Sequence, residues 1–219
     1  MSLLSKAKKL SNIIRWLPFN NKIKLKGAKL KSKNSLLLKT KIRCIGQGNT
    51  ITISEGAILY KCSITINGNN NHVEIGKSAS LKHVNINVED SDNNVSIGER
   101  TYLCGYTNIG CIESTSIKIG NDCLFSANIE IRSGDSHGIY NLDKKRINFS
   151  KDVEIGNCVW LGQGVYVLKG VKIEENTVVG AGSIVTKCVE EKNCIVAGNP
   201  AKIIKRDIVW DKERVNELK

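Results

Sequence analysis

The stretch that decides the fold is residues 155–189, which reads IGNCVWLGQGVYVLKGVKIEENTVVGAGSIVTKCV. An aliphatic residue recurs there at every sixth position, namely at Ile155, Leu161, Val167, Ile173, Val179 and Val185. A period of six is not helical, because an α-helix repeats about every 3.6 residues. It suits a short strand followed by a turn, so three repeats predict one triangular coil of about 18 residues with aliphatic side chains pointing inward.

A longer period extends this organisation toward the N-terminus. Apolar residues recur 22 positions apart in three series, which are Ile53, Ile75, Ile97 and Ile119; Ile51, Val73, Val95 and Ile117; and Leu59, Leu81, Leu103 and Phe125. Asn49, Asn71 and Asn93 keep the same phase. Each unit predicts one coil with a larger, asparagine-rich corner. The stacked coils predict an all-β solenoid in which each coil contacts mainly its neighbours.

The two ends depart from the repeat. Residues 2–17 place apolar residues at helical spacing among lysines, which predicts an amphipathic basic helix that Pro18 ends. Alternation over residues 22–26 predicts strand, and residues 30–45 are expected to form the first coil and cap the solenoid. Beyond Pro200 we expect a short strand and then a helix.

These patterns divide the chain into three parts. Residues 1–45 form a basic N-terminal helix and capping segment, residues 46–202 form the solenoid domain with an inserted loop at 132–150, and residues 203–219 form a C-terminal tail. No apolar run approaches the roughly 20 residues that cross a bilayer, and no signal peptide is recognisable. We therefore expect a cytoplasmic protein.

The net charge of +12 at first suggests a polyanionic partner. Thirteen of the 33 Lys and Arg residues lie within residues 1–45, which contain no acid, and they leave 20 basic against 21 acidic residues in the rest. A nearly neutral body argues against nucleic acid as the partner. The basic helix could hold the protein at the inner face of an anionic membrane, where each basic residue contributes about 1 kcal/mol, or it could pack against another subunit.

The cysteines and histidines do not predict a metal site. None of the eight cysteines has the C-x-x-C spacing of zinc clusters, so we expect small buried apolar side chains in a reducing compartment. His72 and His83 are expected to be structural or surface residues.

The repeat breaks between Ile131 and Ile155, where residues 133–148 read SGDSHGIYNLDKKRIN. Loops inserted into a rigid scaffold commonly carry function. His137 is the candidate general base, because a histidine can accept a proton from a hydroxyl at neutral pH. Asp135 could orient its imidazole, as carboxylates do in hydrolytic triads.

Several motifs resemble those of the hexapeptide-repeat acetyltransferases, and among them the O-acetyltransferases of capsular and surface polysaccharides. The similar segments are Ser-x-Asp-x-His-x-Ile at 133–139 and the segments at 146–148, 155–162, 179–187 and 198–202. The resemblance spans residues 49–206. It implies a left-handed parallel β-helix, acetyl-CoA as co-substrate, a sugar or glycan acceptor, and a homotrimer with its acyl sites between adjacent subunits.

The resemblance also implies roles for particular residues. His137 falls on the catalytic base, and Trp160 falls on a tryptophan that lines the acceptor or thioester site. The positions expected to meet coenzyme A are Gly162, Gly180, Ala181, Thr186, Lys187, Lys202 and Lys205. We add Tyr140 and Arg146 of the loop as acceptor contacts, and we expect backbone N–H groups between Trp160 and Gly162 to hold the oxyanion without a metal.

Three hypotheses about function follow. The first is an acetyl-CoA-dependent O-acetyltransferase that modifies a sugar hydroxyl of a bacterial surface polysaccharide or its precursor. The second keeps the donor and changes the acceptor to a nucleotide-linked amino sugar, a small sugar or an antibiotic. The third is a non-catalytic scaffold that presents the basic helix to a membrane or a polymer.

Overall fold

The computed structural model describes residues 20–213, and within this range it contains 22 strands and no helix. In chain order the strands are β1 (Lys22–Ser32), β2 (Leu36–Leu38), β3 (Lys41–Ile53), β4 (Ile58–Tyr60), β5 (Ser63–Asn67), β6 (His72–Ile75), β7 (Ser80–Lys82), β8 (Val84–Glu89), β9 (Asn94–Ile97), β10 (Tyr102–Gly105), β11 (Thr107–Cys111), β12 (Ser116–Ile119), β13 (Leu124–Ala127), β14 (Glu130–Arg132), β15 (Val153–Ile155), β16 (Trp160–Leu161), β17 (Tyr166–Val167), β18 (Lys172–Ile173), β19 (Val178–Val179), β20 (Ile184–Val185), β21 (Ile195–Gly198) and β22 (Ala201–Lys205).

The strands stack in three parallel rows, which we call the first, second and third faces. The first face contains the N-terminal half of β3 and then β5, β8, β11, β14, β17 and β20, and the second contains the C-terminal half of β3 and then β6, β9, β12, β15 and β18. The third face contains β2, β4, β7, β10, β13, β16, β19 and β21, and β22 pairs antiparallel at its end. Each coil runs from the third face to the first and then to the second, which confirms the parallel β-solenoid.

The pairing register confirms both sequence periods. Ile53 aligns with Ile75, and the same ladder continues through Ile97, Ile119, Ile155 and Ile173. These side chains are buried, and full burial of an isoleucine contributes about 1.5–3 kcal/mol. Successive members are 22 residues apart at first and 18 at the end, because the corners shorten. The step from Ile119 to Ile155 is 36 residues, because the inserted loop interrupts that coil.

A buried polar ladder follows the corner between the first and second faces. The backbone N–H of Asn71 donates to Oδ1 of Asn49 at 2.8 Å, and that of Asn93 donates to Oδ1 of Asn71 at 2.9 Å. Thr115 continues the ladder, and its hydroxyl donates to Oγ of Ser133 at 2.7 Å. Buried polar groups of this kind need partners on every coil, which explains the recurrent asparagines. The ladder ends at Ser133, where the inserted loop begins, one residue later than predicted because Arg132 still belongs to β14.

The two other histidines have packing contacts, as predicted. His83 lies at the corner between the third and first faces, where its ring is 5.8 Å from that of Tyr60 and 4.9 Å from that of Tyr106, measured between centroids. His72 is exposed on β6, and its Nδ1 is 2.6 Å from Oγ1 of Thr50.

Five cysteines are buried, as expected of small apolar side chains, and they are Cys44, Cys62, Cys111, Cys123 and Cys194. Burial raises the pKa of the Cys62 and Cys123 thiols to about 11, so neither is a reactive thiolate at neutral pH. Cys104 and Cys188 are exposed and Cys158 is half-buried, so the prediction is wrong for these three.

The solenoid begins earlier than expected. β1 starts at Lys22 and pairs along its length with β3, so the first coil starts before residue 30 and β1 itself covers the edge of β3. The helix predicted over residues 2–17 lies outside the described residues.

One of the two elements predicted for the C-terminal tail is present. The strand is present as β22, but residues 206–213 form no helix, so that prediction is wrong there. An extended course lets Trp210 and Lys212 reach groups on different coils, because Nε1 of Trp210 donates to the carbonyl of Cys158 and Nζ of Lys212 to the carbonyl of Arg100. No helix among residues 20–213 is long and apolar enough to span a bilayer.

Candidate active site

The inserted loop leaves the solenoid after β14 and returns at β15, so it projects from the corner between the first and second faces. Its middle folds back as a short hairpin, in which the N–H of Ile147 donates to the carbonyl of Ile139 and that of Asn141 donates to Lys145, both at 2.9 Å. Tyr140 and Arg146 face each other across the hairpin in an isolated antiparallel bridge. The hairpin that follows His137 is therefore ordered by its own backbone.

A carboxylate on the preceding coil holds the return arm of the loop. The guanidinium of Arg146 contacts both carboxylate oxygens of Glu113, at 2.7 and 3.0 Å, and Oγ of Ser150 donates to the same carboxylate at 2.7 Å. These hydrogen bonds, with that from Arg146 the stronger, lower the pKa of Glu113 to about 2. Arg146 thus anchors the loop to the preceding coil, and its contact with an acceptor stays a prediction.

Asn148 connects the two arms of the loop. Its side chain is nearly buried, and its Nδ2 donates to Oδ2 of Asp135 and to the backbone carbonyl of His137, both at 2.8 Å. Its Oδ1 accepts from the N–H of Ile139 at 2.6 Å. One amide therefore binds the backbone at His137 and Ile139 and the side chain of Asp135.

Asp135 is bound from two directions. Nζ of Lys169, from the following coil, forms an ion pair with its carboxylate and also donates to the carbonyl of Asn148 at 3.0 Å. Lys169, followed by Asn148, lowers the pKa of Asp135. Within the described chain no hydrogen bond joins this carboxylate to the imidazole of His137. Asp135 is linked to the backbone of His137 through Asn148, and it does not contact the imidazole directly as the sequence suggested.

Trp160 lies on the third face with 37% of its surface exposed. Its Nε1 is 3.5 Å from Oγ of Ser126, and its ring contacts that of Trp210 at a centroid distance of 5.8 Å and an angle of 41°. Trp210 is anchored by a 2.7 Å hydrogen bond to the carbonyl of Cys158, and Lys212 forms an ion pair with Asp122 at 3.0 Å. The C-terminal tail thus supports one side of Trp160.

The structure does not bring all of the expected residues together in one chain. His137, Asp135, Tyr140 and Arg146 belong to the corner between the first and second faces, whereas Trp160 lies on the third face. In a three-sided coil, that corner is opposite the third face. A single chain therefore presents its loop histidine and its tryptophan on opposite sides.

The residues expected to meet coenzyme A fall into two groups. Lys187 follows β20 on the loop's corner, one coil beyond Lys169, whereas Gly162, Gly180 and Ala181 follow β16 and β19 of the third face. Lys202 and Lys205 are exposed on β22, and Thr186 and Lys187 are exposed beyond β20.

The small residues have a structural role of their own. A Cβ on Gly162 would lie 2.6 Å from the backbone N of Ala181, so the stacking of coils already requires glycine there. The N–H groups of Trp160 and Gly162 donate to Thr177 and Val179 of the next coil at 2.9 and 2.8 Å. The expectation that these two donors hold the oxyanion is therefore wrong.

Comparisons with known proteins agree with this architecture. A family model described as bacterial transferase hexapeptide (six repeats) matches residues 152–187. The crystal structure of the polySia-specific acetyltransferase NeuO superposes with a TM-score of 0.82 at 32% identity, and the alignment covers 90% of this chain and 91% of that one. The polysialic acid O-acetyltransferase OatWY gives a TM-score of 0.81 at 35% identity, with 90% and 94% covered.

The chain belongs to the hexapeptide-repeat acetyltransferases. Among curated relatives, the polysialic acid O-acetyltransferase of Escherichia coli O1:K1 is 39% identical over 107 residues, which is 48% of this chain and 34% of that protein. The polysialic acid O-acetyltransferase of Neisseria meningitidis is 38% identical over 110 residues, which is 50% of this chain and 51% of that one. The chain thus spans a third to a half of the length of these relatives.

Sequence reasoning missed four residues of this hexapeptide-repeat acetyltransferase that shape the site. Glu113 and Lys169 lie outside the loop, in coils whose alignment only the fold reveals. Trp210 lies in a tail without a repeat. Asn148 was part of a recognised motif, but nothing in its spacing indicated that its amide holds the carbonyl of His137.

Proposed function

We propose that this chain transfers the acetyl group of acetyl-CoA to a sugar hydroxyl of a bacterial surface polysaccharide or its precursor. The observation that carries the proposal is the loop at the interruption of the solenoid, which presents an exposed histidine on a backbone pinned by Asn148. The relatives named polysialic acid O-acetyltransferases support a hydroxyl acceptor on a sugar.

In the proposed reaction, His137 accepts the proton of the acceptor hydroxyl while the oxygen attacks the thioester carbonyl. The C–S bond breaks as the tetrahedral intermediate collapses, and the departing thiolate takes up the proton from the imidazolium. The sugar leaves as its acetyl ester and coenzyme A leaves as a thiol. Asn148, Asp135 and Lys169 hold the loop in position for these steps, while Trp160 and Tyr140 offer aromatic surface to the acceptor.

The exposed cations fit the phosphates of coenzyme A. Lys187, Lys202 and Lys205 are exposed, and within residues 20–213 none of them takes part in an ion pair. Their charges are therefore available to an anionic ligand, and the thioester supplies the acetyl group. Thr186, Gly162, Gly180 and Ala181 stay predictions as coenzyme A contacts. Among the described residues no cluster of His, Cys, Asp and Glu is placed to hold a metal ion.

The active site in this proposal is shared between subunits of a left-handed homotrimer. Because the loop corner is opposite the third face, His137 of one subunit and Trp160 of its neighbour would complete one site. Subunit mixing tests this arrangement. If the His137→Ala and Trp160→Ala proteins are each inactive, random reassembly at equal ratio restores about a quarter of the activity, since half of the sites receive each intact residue. Recovery of no activity on mixing would contradict a shared site.

The reaction itself is tested by following coenzyme A release with candidate glycans. We expect the His137→Ala protein to lose activity by about 100-fold or more, the usual contribution of a general base. Full activity of that variant would overturn the mechanism. Paired acceptors that differ only in an amino or a hydroxyl group separate O-acetylation from N-acetylation, and hydroxyl preference supports the proposal.

The cellular compartment of the proposed reaction follows from the acetyl donor. We place the reaction in the cytoplasm, where acetyl-CoA is made, and contact of residues 2–17 with the inner face of the membrane stays a prediction. Co-sedimentation of the full chain and of residues 18–219 with anionic liposomes tests it, and equal binding by the two would contradict it.

A further inference from the structure

Part of the N-terminal charge lies on the solenoid itself, in a cluster that we call the basic face. It consists of Lys22, Lys24 and Lys26 of β1 with Lys41 and Arg43 of β3, and all five side chains are exposed. Lys22 pairs with Lys41 and Lys24 with Arg43. Alternate residues of a strand are about 6.6 Å apart and neighbouring strands about 4.8 Å, so five cations share one small patch.

The fold does not compensate this charge. None of the five takes part in an ion pair within residues 20–213, whereas some exposed cations elsewhere do, as Arg100 does with Asp122 and Arg206 with Glu191. The first acidic residue along this face is Glu89, three strands beyond β1. Unpaired like charges repel one another, and their side chains point away from the core, so the packing of the solenoid does not require them.

The basic face is also concave. A depression of about 390 Å³ is lined by Lys24, Lys26, Arg43, Cys44 and Ile45. A second depression of about 160 Å³ adjoins it and is lined by Arg43, Ile45, Thr65, Ile66, Asn67, Asn87, Val88 and Glu89. Because both include Arg43 and Ile45, they form one groove, with cations at one end and hydroxyl and amide groups beyond.

The groove points toward the inserted loop. The register places Arg43, Thr65, Asn87, Gly110 and Arg132 on one ladder of the first face. Arg132 immediately precedes the loop that carries His137. Four steps of about 4.8 Å separate Arg43 from Arg132, a distance of about 19 Å that an extended chain of several sugars can span.

We propose that this groove binds an anionic polysaccharide at a distance from the sugar that is acetylated. Carboxylate or phosphate groups of the polymer meet the basic face, and its hydroxyls meet Thr65, Asn67 and Asn87. This inference rests on the proposed function for the identity of the bound polymer as acceptor. A membrane surface is the other anionic partner, but a groove lined by amides and aligned with the loop suits a polymer better than a plane of headgroups.

Binding is tested with the full chain without acetyl-CoA, so that no turnover occurs. The probes are polysialic acid as a carboxylate-bearing polymer, neutral dextran, and vesicles of phosphatidylglycerol and phosphatidylcholine. The test variant is K24Q/R43Q. The control is K77Q/K118Q, which removes the same charge from exposed lysines elsewhere on the solenoid. We expect K24Q/R43Q to weaken polysialic acid binding at least about tenfold at low salt and to reduce its salt dependence, while the control binds like the wild type.

Each outcome decides the matter. An equal loss of polysialic acid binding in K24Q/R43Q and K77Q/K118Q would show a general charge effect and contradict binding in the groove. Binding of the vesicles but not of polysialic acid would also contradict it. In acetyl transfer, we expect K24Q/R43Q to reduce the preference for long over short acceptors at least about fivefold, and an unchanged preference would overturn the coupling between groove and loop. Polymer binding that depends on Lys24 and Arg43 in a chain that transfers no acetyl group would sustain the groove and reject the proposed function.

Discussion

Replacing Asn148 by alanine should disable the loop without unfolding the solenoid. The side chain makes two contacts with the backbone beside His137, to the carbonyl of His137 at 2.8 Å and from the N–H of Ile139 at 2.6 Å. A typical hydrogen bond contributes a net 0.5–1.5 kcal/mol, so the ordered loop should lose about 1–3 kcal/mol. Because about 1.4 kcal/mol corresponds to tenfold, the equilibrium constant for ordering the loop should fall about 5- to 150-fold, and kcat should fall by up to that factor if activity follows the ordered fraction.

The effect should be local. Val153 and Ile155 return the chain to the core, where they pair with Ile117 and Ile119 independently of the loop. We therefore expect the melting temperature to stay within about 2 °C of the wild type while amide exchange accelerates in residues 135–148. Asn141→Ala is the matched control, because Asn141 lies at the exposed tip of the same hairpin and, among the described residues, its side chain forms a hydrogen bond only with the N–H of Lys145. It should keep kcat within about twofold.

Two results would refute this reasoning. An Asn148→Ala protein with full kcat and faster exchange in the loop would show that catalysis does not need the ordered loop. Equal losses of kcat in the Asn148→Ala and Asn141→Ala proteins would show that the hairpin, and not the amide beside His137, matters.

Three further predictions concern the anchors of the site and the core. The depressed pKa of Glu113 means that its ion pair stabilises the loop above the ordinary carboxyl range near 4.5 and that this contribution is lost as the pH falls toward 2. The protection of the loop amides relative to their intrinsic exchange rates should therefore fall with acid in the wild type. A Glu113→Gln protein whose loop protection keeps the same pH dependence would contradict this. Trp210→Ala should raise the KM for the acceptor about three- to tenfold and abolish the circular-dichroism couplet of the Trp160–Trp210 pair. Trp210→Phe should give an intermediate KM. An unchanged KM in the Trp210→Ala protein would show that the tail does not support the acceptor site. Asn71→Leu should lower the free energy of unfolding by about 2–4 kcal/mol in urea titrations, because it leaves buried backbone groups of the adjoining coils without partners, and a loss below 1 kcal/mol would speak against the buried ladder.

The candidate site was predictable only in part. His137 could be found because it lies where a long repeat is interrupted. The direct contact expected between Asp135 and the imidazole is absent among the described residues, because Lys169 and Asn148 bind that carboxylate. Sequence spacing cannot reveal such competition, since Lys169 is 34 residues from Asp135 and becomes a neighbour only when one coil is stacked on the next.

The tail shows the same limit. Apolar residues beyond Pro200 have a spacing compatible with a helix, but between residues 206 and 213 tertiary contacts determine the conformation. Hydrogen bonds from Trp210 and Lys212 to carbonyls on different coils require an extended course along the solenoid. Helical propensity in a short segment is worth little against such contacts.

The sequence by itself determined the core and the stacking of the coils, because an inward residue at every sixth or twenty-second position has no other way to be buried continuously. It also determined where the repeat is interrupted. Only the tertiary structure decided what surrounds the interruption: the Glu113 and Lys169 anchors on adjoining coils, the groove on the first face, and the position of Trp160 opposite the loop. The physical reason is that a period sets which side chains point inward, whereas contacts between outward side chains depend on how the coils align and on which face each residue falls.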